Sequence, residues 1–366
     1  MGNMISYIIE YGHLGFDELA FSEVDSLILA QISYLVVDGY VSPRHSFRTT
    51  VRDIADTGDE NITKKTTLPK ENKLFLSALQ KSKRFGDIKV ACYTSVTDTE
   101  TEIQFAALAL RLAPDLHYIS FRGTDTTLVG WKEDFNLAYS DNIPSQAMAV
   151  NYLKQTARFM RGKLILGGHS KGGHLAVYAA MHTTDSIKKR INAIYNHDGP
   201  GFPHAIFDSE EYKSIQDRIY KTVPHSAIVG MMLENHGPYT VVASRYFPIL
   251  QHNPFTWEIR DTDFVRLKKV DFLSDLTNRT LSKWMEETTP EMRKQLFDAL
   301  FDILQSTGAE TYPELIEALK KDFSPMLEKL ISLDAQTRKM LLKVLHSLLK
   351  TATLQLKLMV KKDKKE

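Results

Sequence analysis

The chain has 366 residues, 43% of them hydrophobic, and a formal net charge of +1. That is enough for one large domain plus an appendage, and the near-neutral balance excludes a bulk electrostatic pull toward nucleic acid. A single cysteine, Cys92, excludes an intrachain disulfide framework and a cysteine-based zinc site, and it fits a reducing, cytoplasmic setting.

The opening "MGNMISYIIEYG" lacks the positive flank and apolar block of a secretory signal. No run reaches the roughly 18 apolar residues of a membrane-spanning helix. Met1 to Ser6 fits the short myristoylation pattern. Next, "FDELAFSEVDSLILAQISYLVVDGYV" carries apolar residues at helical spacing, with Ser22 as N-cap and Glu23 just inside. Residues Ser46 to Lys70 are polar and read mostly as loop, followed by a short helix from Glu71 to Gln80. "DIKVACYTSV" and "TEIQFAALAL" read as strands joined by a turn, although the alanines of the second also suit a helix.

From Leu116 the rhythm becomes strand, helix, strand, helix. "LHYISFRG", "KLILGG" and "INAIYN" are short buried-type strands. "SQAMAVNYLKQTARFM", "GGHLAVYAAMH" and "SEEYKSIQDRI" have helical spacing between or after them. "YKTVP" and "YTVVASRYF" close the series. Near-continuous apolar strands alternating with helices predict a mostly parallel sheet covered on both faces. After about Arg266 the composition turns to Leu, Lys, Glu and Met, which predicts several helices broken near "TTPEM", "STGAETYP" and "DFSP". The expected division is an α/β domain over 1–265, with a helical N-terminal segment, and a helical region over 266–366.

"GGHSKGGHLAVYAA" places Ser170 in a G-x-S-x-G pentapeptide between a buried strand and a helix. That context suits a nucleophile elbow, a turn so sharp that side chains at Gly168 and Gly172 would collide with their neighbours. The helix N-terminus also aims free N–H groups at the site. A serine hydroxyl is a weak nucleophile until a base takes its proton. In parallel-sheet hydrolases the order is serine, acid, histidine. Of His182, His197, His204, His225, His236 and His252, the last follows the final strand and is the expected base. His174 and His182 lie in the elbow's own helix and do not easily reach back. For the acid, Asp198 follows the strand after the elbow, at the carboxyl edge where active sites form; Glu234, between the last two strands, is the rival. The expected oxyanion donors are the backbone N–H of Lys171 and, from "YISFRGTD", Thr124 by N–H or hydroxyl. Arg122 and Asp125 flank that loop, as a bracing ion pair or as ordinary loop charges.

The segments "YISFRGTD", "GWKEDFNLAY", "GGHSKGGHLAVYAA" and "QHNPFTW" together resemble the class 3 lipases of the α/β-hydrolase superfamily. With "FSEVDSLILAQISYL" they are closer still to a bacterial family of lipase-like proteins of unassigned function. The resemblance covers roughly Phe16 to Trp257. It implies an α/β-hydrolase-type sheet, Ser170 as nucleophile, His252 as base, and Thr124 with Lys171 as the oxyanion hole. Trp131 and Asp134 match a structural Trp-x-x-Asp feature. Class 3 lipases place their acid in a segment similar to "KTVPHSAIVG", where this chain has Ser226. The usual acid is missing or moved, which directs attention to Asp198 and leaves a serine–histidine dyad open.

The expected function is hydrolysis of carboxylic esters, lipid or thioesters included, through an acyl-enzyme. The competing expectation is a weak or inactive hydrolase-like module that binds a partner or membrane surface through its tail, where Leu341, Leu345, Leu348, Leu349, Ala352 and Leu356 form a stripe among lysines. The segment "GMMLENHGPY" is a candidate cover for an acyl groove. No metal cluster or phosphate loop is expected, and no cofactor.

Overall fold

The computed structural model describes residues 2–140, 142–245, 248–344 and 346. Met1 of the myristoylation pattern, the terminal lysines, and Leu345, Leu348, Leu349, Ala352 and Leu356 of the tail stripe lie outside them.

Two helices open the chain, α1 (Met4–Tyr11) and α2 (Glu23–Ile32). Ser22 caps α2 in a capping box with Asp25, so two orphan backbone donors are satisfied reciprocally. Asp25 also forms a fully buried ion pair with Arg84 at 2.6 Å. Between 46 and 70 the structure is more regular than the loop expected. It holds a short strand β1 (Thr49–Thr50) and two brief helices, α3 (Val51–Asp56) and α4 (Asn61–Lys64). The Thr50–Asp53 capping box supplies the start signal that apolar periodicity lacked. Helices α5 (Pro69–Lys81) and α6 (Lys83–Gly86) complete this layer.

The central sheet then builds from β2 (Lys89–Asp98), β3 (Ile103–Ala113) and β4 (Leu116–Phe121). The alanine-rich segment is therefore strand β3. Helices α7 (Leu128–Asn136) and α8 (Pro144–Ala157) lead to β5 (Lys163–His169), α9 (Lys171–His182), α10 (Asp185–Lys188) and β6 (Ile191–His197). The helix expected over "SEEYKSIQDRI" is broken. After α11 (His204–Phe207) come α12 (Glu210–Lys213) and a separate 3-10 turn, Gln216–Arg218. Strands β7 (Ile219–Pro224) and β8 (Tyr239–Val242) follow. A small hairpin, β9 (Ile259–Arg260) and β10 (Asp263–Phe264), precedes β11 (Arg266–Leu267).

Among the described residues, nine strands form one sheet in the order β1-β2-β3-β4-β5-β6-β7-β8-β11. Strands β4 through β8 run parallel, and antiparallel strands border them on both sides. One face is covered by α1, α2 and α5 with Trp257 and Phe255, the other by α8 and α9. This is an α/β-hydrolase-type fold, a sheet buried on both faces by helices. The expected division at 265/266 falls between β10 and β11. Beyond it lie α13 (Phe272–Glu286), α14 (Pro290–Gln305), α15 (Tyr312–Lys321) and α16 (Ser324–Ser332), with breaks at the expected Pro, Gly and Ser positions. Leu341, from the tail stripe, is buried against this helical group.

Candidate active site

Parallel register brings the chemistry together. Phe121 at the end of β4 pairs with Gly168 of β5, and His169 pairs with His197 of β6. The residues that leave these three strands, Arg122, Ser170 and Asp198, therefore emerge side by side at the carboxyl edge. Ser170 has φ 58° and ψ −134°, a conformation L-residues rarely adopt. A Cβ at Gly168 would stand 2.3 Å from the Gly172 carbonyl carbon, and one at Gly172 would stand 2.1 Å from the Phe121 carbonyl oxygen. Two bare backbones at those positions let the turn close.

The Ser170 hydroxyl donates to His252 Nε2 at 2.9 Å. On the other side of the ring, His252 Nδ1–H donates to Asp198 Oδ2 at 2.7 Å. A carboxylate facing Nδ1 fixes the tautomer, leaving Nε2 free to accept. Asp198 is fully buried, with φ 53°, and its Oδ1 accepts from Gly230 N–H at 3.1 Å. Burial pushes its carboxyl above the ordinary aspartate value, while the hydrogen bond from His252 pulls it back. Glu234 is elsewhere, exposed and bonded to His204 and His236 at 2.6 Å each. Ser226 donates its hydroxyl to Asp271, the N-cap of α13.

Lys171 follows the serine directly in the chain, and Thr124 lies in the loop after β4. Lys171 is the first residue of α9, so its backbone N–H points out of the helix N-terminus. Its side chain runs the other way, buried, with Nζ donating to Glu133 and to the Gln104 carbonyl, both at 2.8 Å. The Thr124 hydroxyl is committed to Asp134, which leaves its backbone N–H, not the hydroxyl, for an oxyanion. Lost hydration pushes the Asp134 carboxyl up to about 6, and the nearby Lys171 ammonium opposes that rise. Trp131 stacks on Tyr312 at 5.2 Å. Arg122 and Asp125 do pair, at 3.3 Å.

Two supporting residues escape sequence reasoning. His169 donates through Nε2–H to the His252 carbonyl at 2.9 Å, and its Nδ1 accepts from Tyr34 at 3.2 Å. Burial, then the neighbouring His252, holds this imidazole well below its ordinary value, so it acts as a neutral strut. Lys221, on β7, donates to the Gly199 carbonyl at 3.0 Å and to Asn235. Burial lowers its ammonium to about 7, partly opposed by Asp198. Nothing in the pattern of β7 marks that lysine as inward-facing. The segment "GMMLENHGPY" is tied to the acid's loop through Gly230, Asn235 and a two-way backbone bridge between Glu234 and Phe202.

A serine, an imidazole and a carboxylate thus stand in one hydrogen-bonded line at the carboxyl edge of this α/β-hydrolase-type sheet. Residues 79–302 match the Mbeg1-like family, and the chain belongs to it. Among solved structures it is similar to M37 lipase, with 18% identity and a TM-score of 0.38, covering 58% of this chain and 70% of that one. It is also similar to a deletion mutant of Rhizomucor miehei lipase in its propeptide complex, with 17% identity and a TM-score of 0.34 over 46% of this chain and 58% of that one. The native form of that complex matches at 16% identity and a TM-score of 0.29, over 43% and 57%. No curated protein matches.

Proposed function

We propose that this protein is a serine hydrolase of carboxylic esters, lipid or thioesters among them. Ser170 Oγ attacks the carbonyl carbon as His252 Nε2 takes its proton, and Asp198 holds the resulting imidazolium. The backbone N–H groups of Lys171 and Thr124 receive the oxyanion. His252 returns the proton to the departing alkoxide or thiolate, leaving an acyl-Ser170. Water, deprotonated by His252, then attacks the acyl carbon, releases the acid and restores the serine. The observation carrying this reading is the unbroken line of 2.9 Å and 2.7 Å hydrogen bonds from Ser170 through His252 to Asp198.

The alternative, an inactive module working through its helical tail, would be favoured by a missing acid. Asp198 stands within hydrogen-bond reach of the base, which favours the enzyme. A cytoplasmic setting, proposed with it, rests on the single buried Cys92; cell fractionation tests it. No helix among the described residues is long and apolar enough to cross a membrane. The test is turnover of p-nitrophenyl esters and thioesters of graded chain length. The wild type hydrolyses at least one class, and Ser170→Ala loses on the order of 10³-fold or more in kcat. Equal rates for both proteins would refute the assignment.

A further inference from the structure

Away from the serine, two loops bring three potential metal donors to one point. His204 Nδ1 and His236 Nε2 each lie 2.6 Å from the same oxygen, Oε2 of Glu234. His204 and Glu234 are 30 positions apart in the chain, which is why no spacing motif announces them. We propose that His204, Glu234 and His236 form a binding site for a divalent transition-metal ion, zinc by preference, that clips the loop after β6 to the connection between β7 and β8.

The chemistry of the donors supports this. Two neutral imidazoles and one carboxylate are a set that zinc accepts tetrahedrally, with water as the fourth ligand. All three donor atoms lie within 4.8 Å of one another, close enough for one ion to span. All three side chains are exposed, so an ion enters without unfolding anything.

The donors are also held by their surroundings. Glu234 is fixed by the reciprocal backbone bonds to Phe202, each 3.1 Å. A Cβ on Gly201 would meet the Glu234 carbonyl oxygen at 1.8 Å, so the two loops touch as bare backbone. The His236 ring lies parallel to Phe207 at 4.3 Å, and Phe207 shares the single helical turn α11 with His204. An ordinary surface pairing of two histidines on one carboxylate explains the short contacts alone. It does not require the backbone bridge and the ring stack that fix where those groups point. The same connection supplies Gly230 to Asp198 and Asn235 to Lys221, so a clip here also stiffens the support of the acid.

The test needs no substrate. Full-length protein, stripped with chelator, is titrated with Co²⁺ and Zn²⁺, reading the visible absorption of Co²⁺, calorimetric stoichiometry and the unfolding midpoint. The expected result is one saturable equivalent, Co²⁺ displaced by Zn²⁺, and a midpoint raised by roughly 3–4 °C at a hundred-fold excess over Kd. His204→Ala/His236→Ala, its midpoint compared with and without metal, abolishes all three signals, and Glu234→Gln weakens them. No saturable binding to the wild type, or undiminished binding to the double variant, would overturn the site. Because Ser170→Ala protein serves equally well, failure here is distinct from failure of the ester hydrolase reading.

Discussion

In the proposed triad Asp198 carries charge in a place where burial resists it. A carboxyl whose folded value lies above its unfolded value favours the folded state at low pH, and that contribution is lost as pH rises through the raised value. At neutral pH the ionised Asp198 therefore burdens the fold while serving His252. Asp198→Asn is expected to lower kcat about 10⁴-fold, by presenting the wrong tautomer of His252. Its thermal midpoint at neutral pH should equal or exceed that of the wild type. A large fall in stability with intact activity would contradict the triad role. That Ser170 and His252 meet was legible because each follows a strand in the expected order, whereas that order allowed Asp198 only as one carboxylate beside its rival Glu234. His169 and Lys221 were not legible, since their roles depend on which strand face points inward beneath the site, and a buried-type strand shows no alternation to reveal it.

The elbow and β7 carry the next two expectations. Gly172→Ala would drive a methyl into the Phe121 carbonyl of the adjacent strand, where backbone cannot yield. It should yield protein that is insoluble or melts well below the wild type, whereas Ser170→Ala should melt close to it. Lys221, with an ammonium lowered from 10.5 to about 7, binds its proton less tightly folded than unfolded. Stability should therefore rise with pH across that interval, as the folded state sheds a charge that the unfolded chain still holds. Urea midpoints measured across it should climb for the wild type, and Lys221→Met should flatten the climb. At this scale the alternation of apolar strands and helices was readable from Leu116 onward. The short helices α3 and α4 were not, because they are too short to show periodicity; α3 starts on a local capping box and α4 has no side-chain cap at all.

The C-terminal helices bear on the catalytic edge at the scale of the whole molecule. Phe135 of α7 packs on Phe297 and Phe301 of α14 at 4.9 and 5.7 Å. Leu128 N–H donates to the Glu310 carbonyl and Tyr312 N–H to the Thr126 carbonyl, both at 2.8 Å, beside the Thr124 loop. We propose the 1–265 and 266–366 regions as a division of composition across which packing is continuous. Truncation near Arg266 is expected to abolish ester hydrolysis and lower the unfolding midpoint, with vesicle sedimentation unchanged. A truncated chain that keeps its activity but no longer sediments with vesicles would instead assign the tail to a membrane surface. The claim beneath all of this is that Ser170 is the nucleophile. Its most direct measurement is fluorophosphonate treatment followed by peptide mass mapping. The account predicts one adduct per chain, on Ser170, absent from Ser170→Ala and strongly slowed in His252→Ala. An adduct on another residue, or equal labelling of wild type and Ser170→Ala, would contradict it.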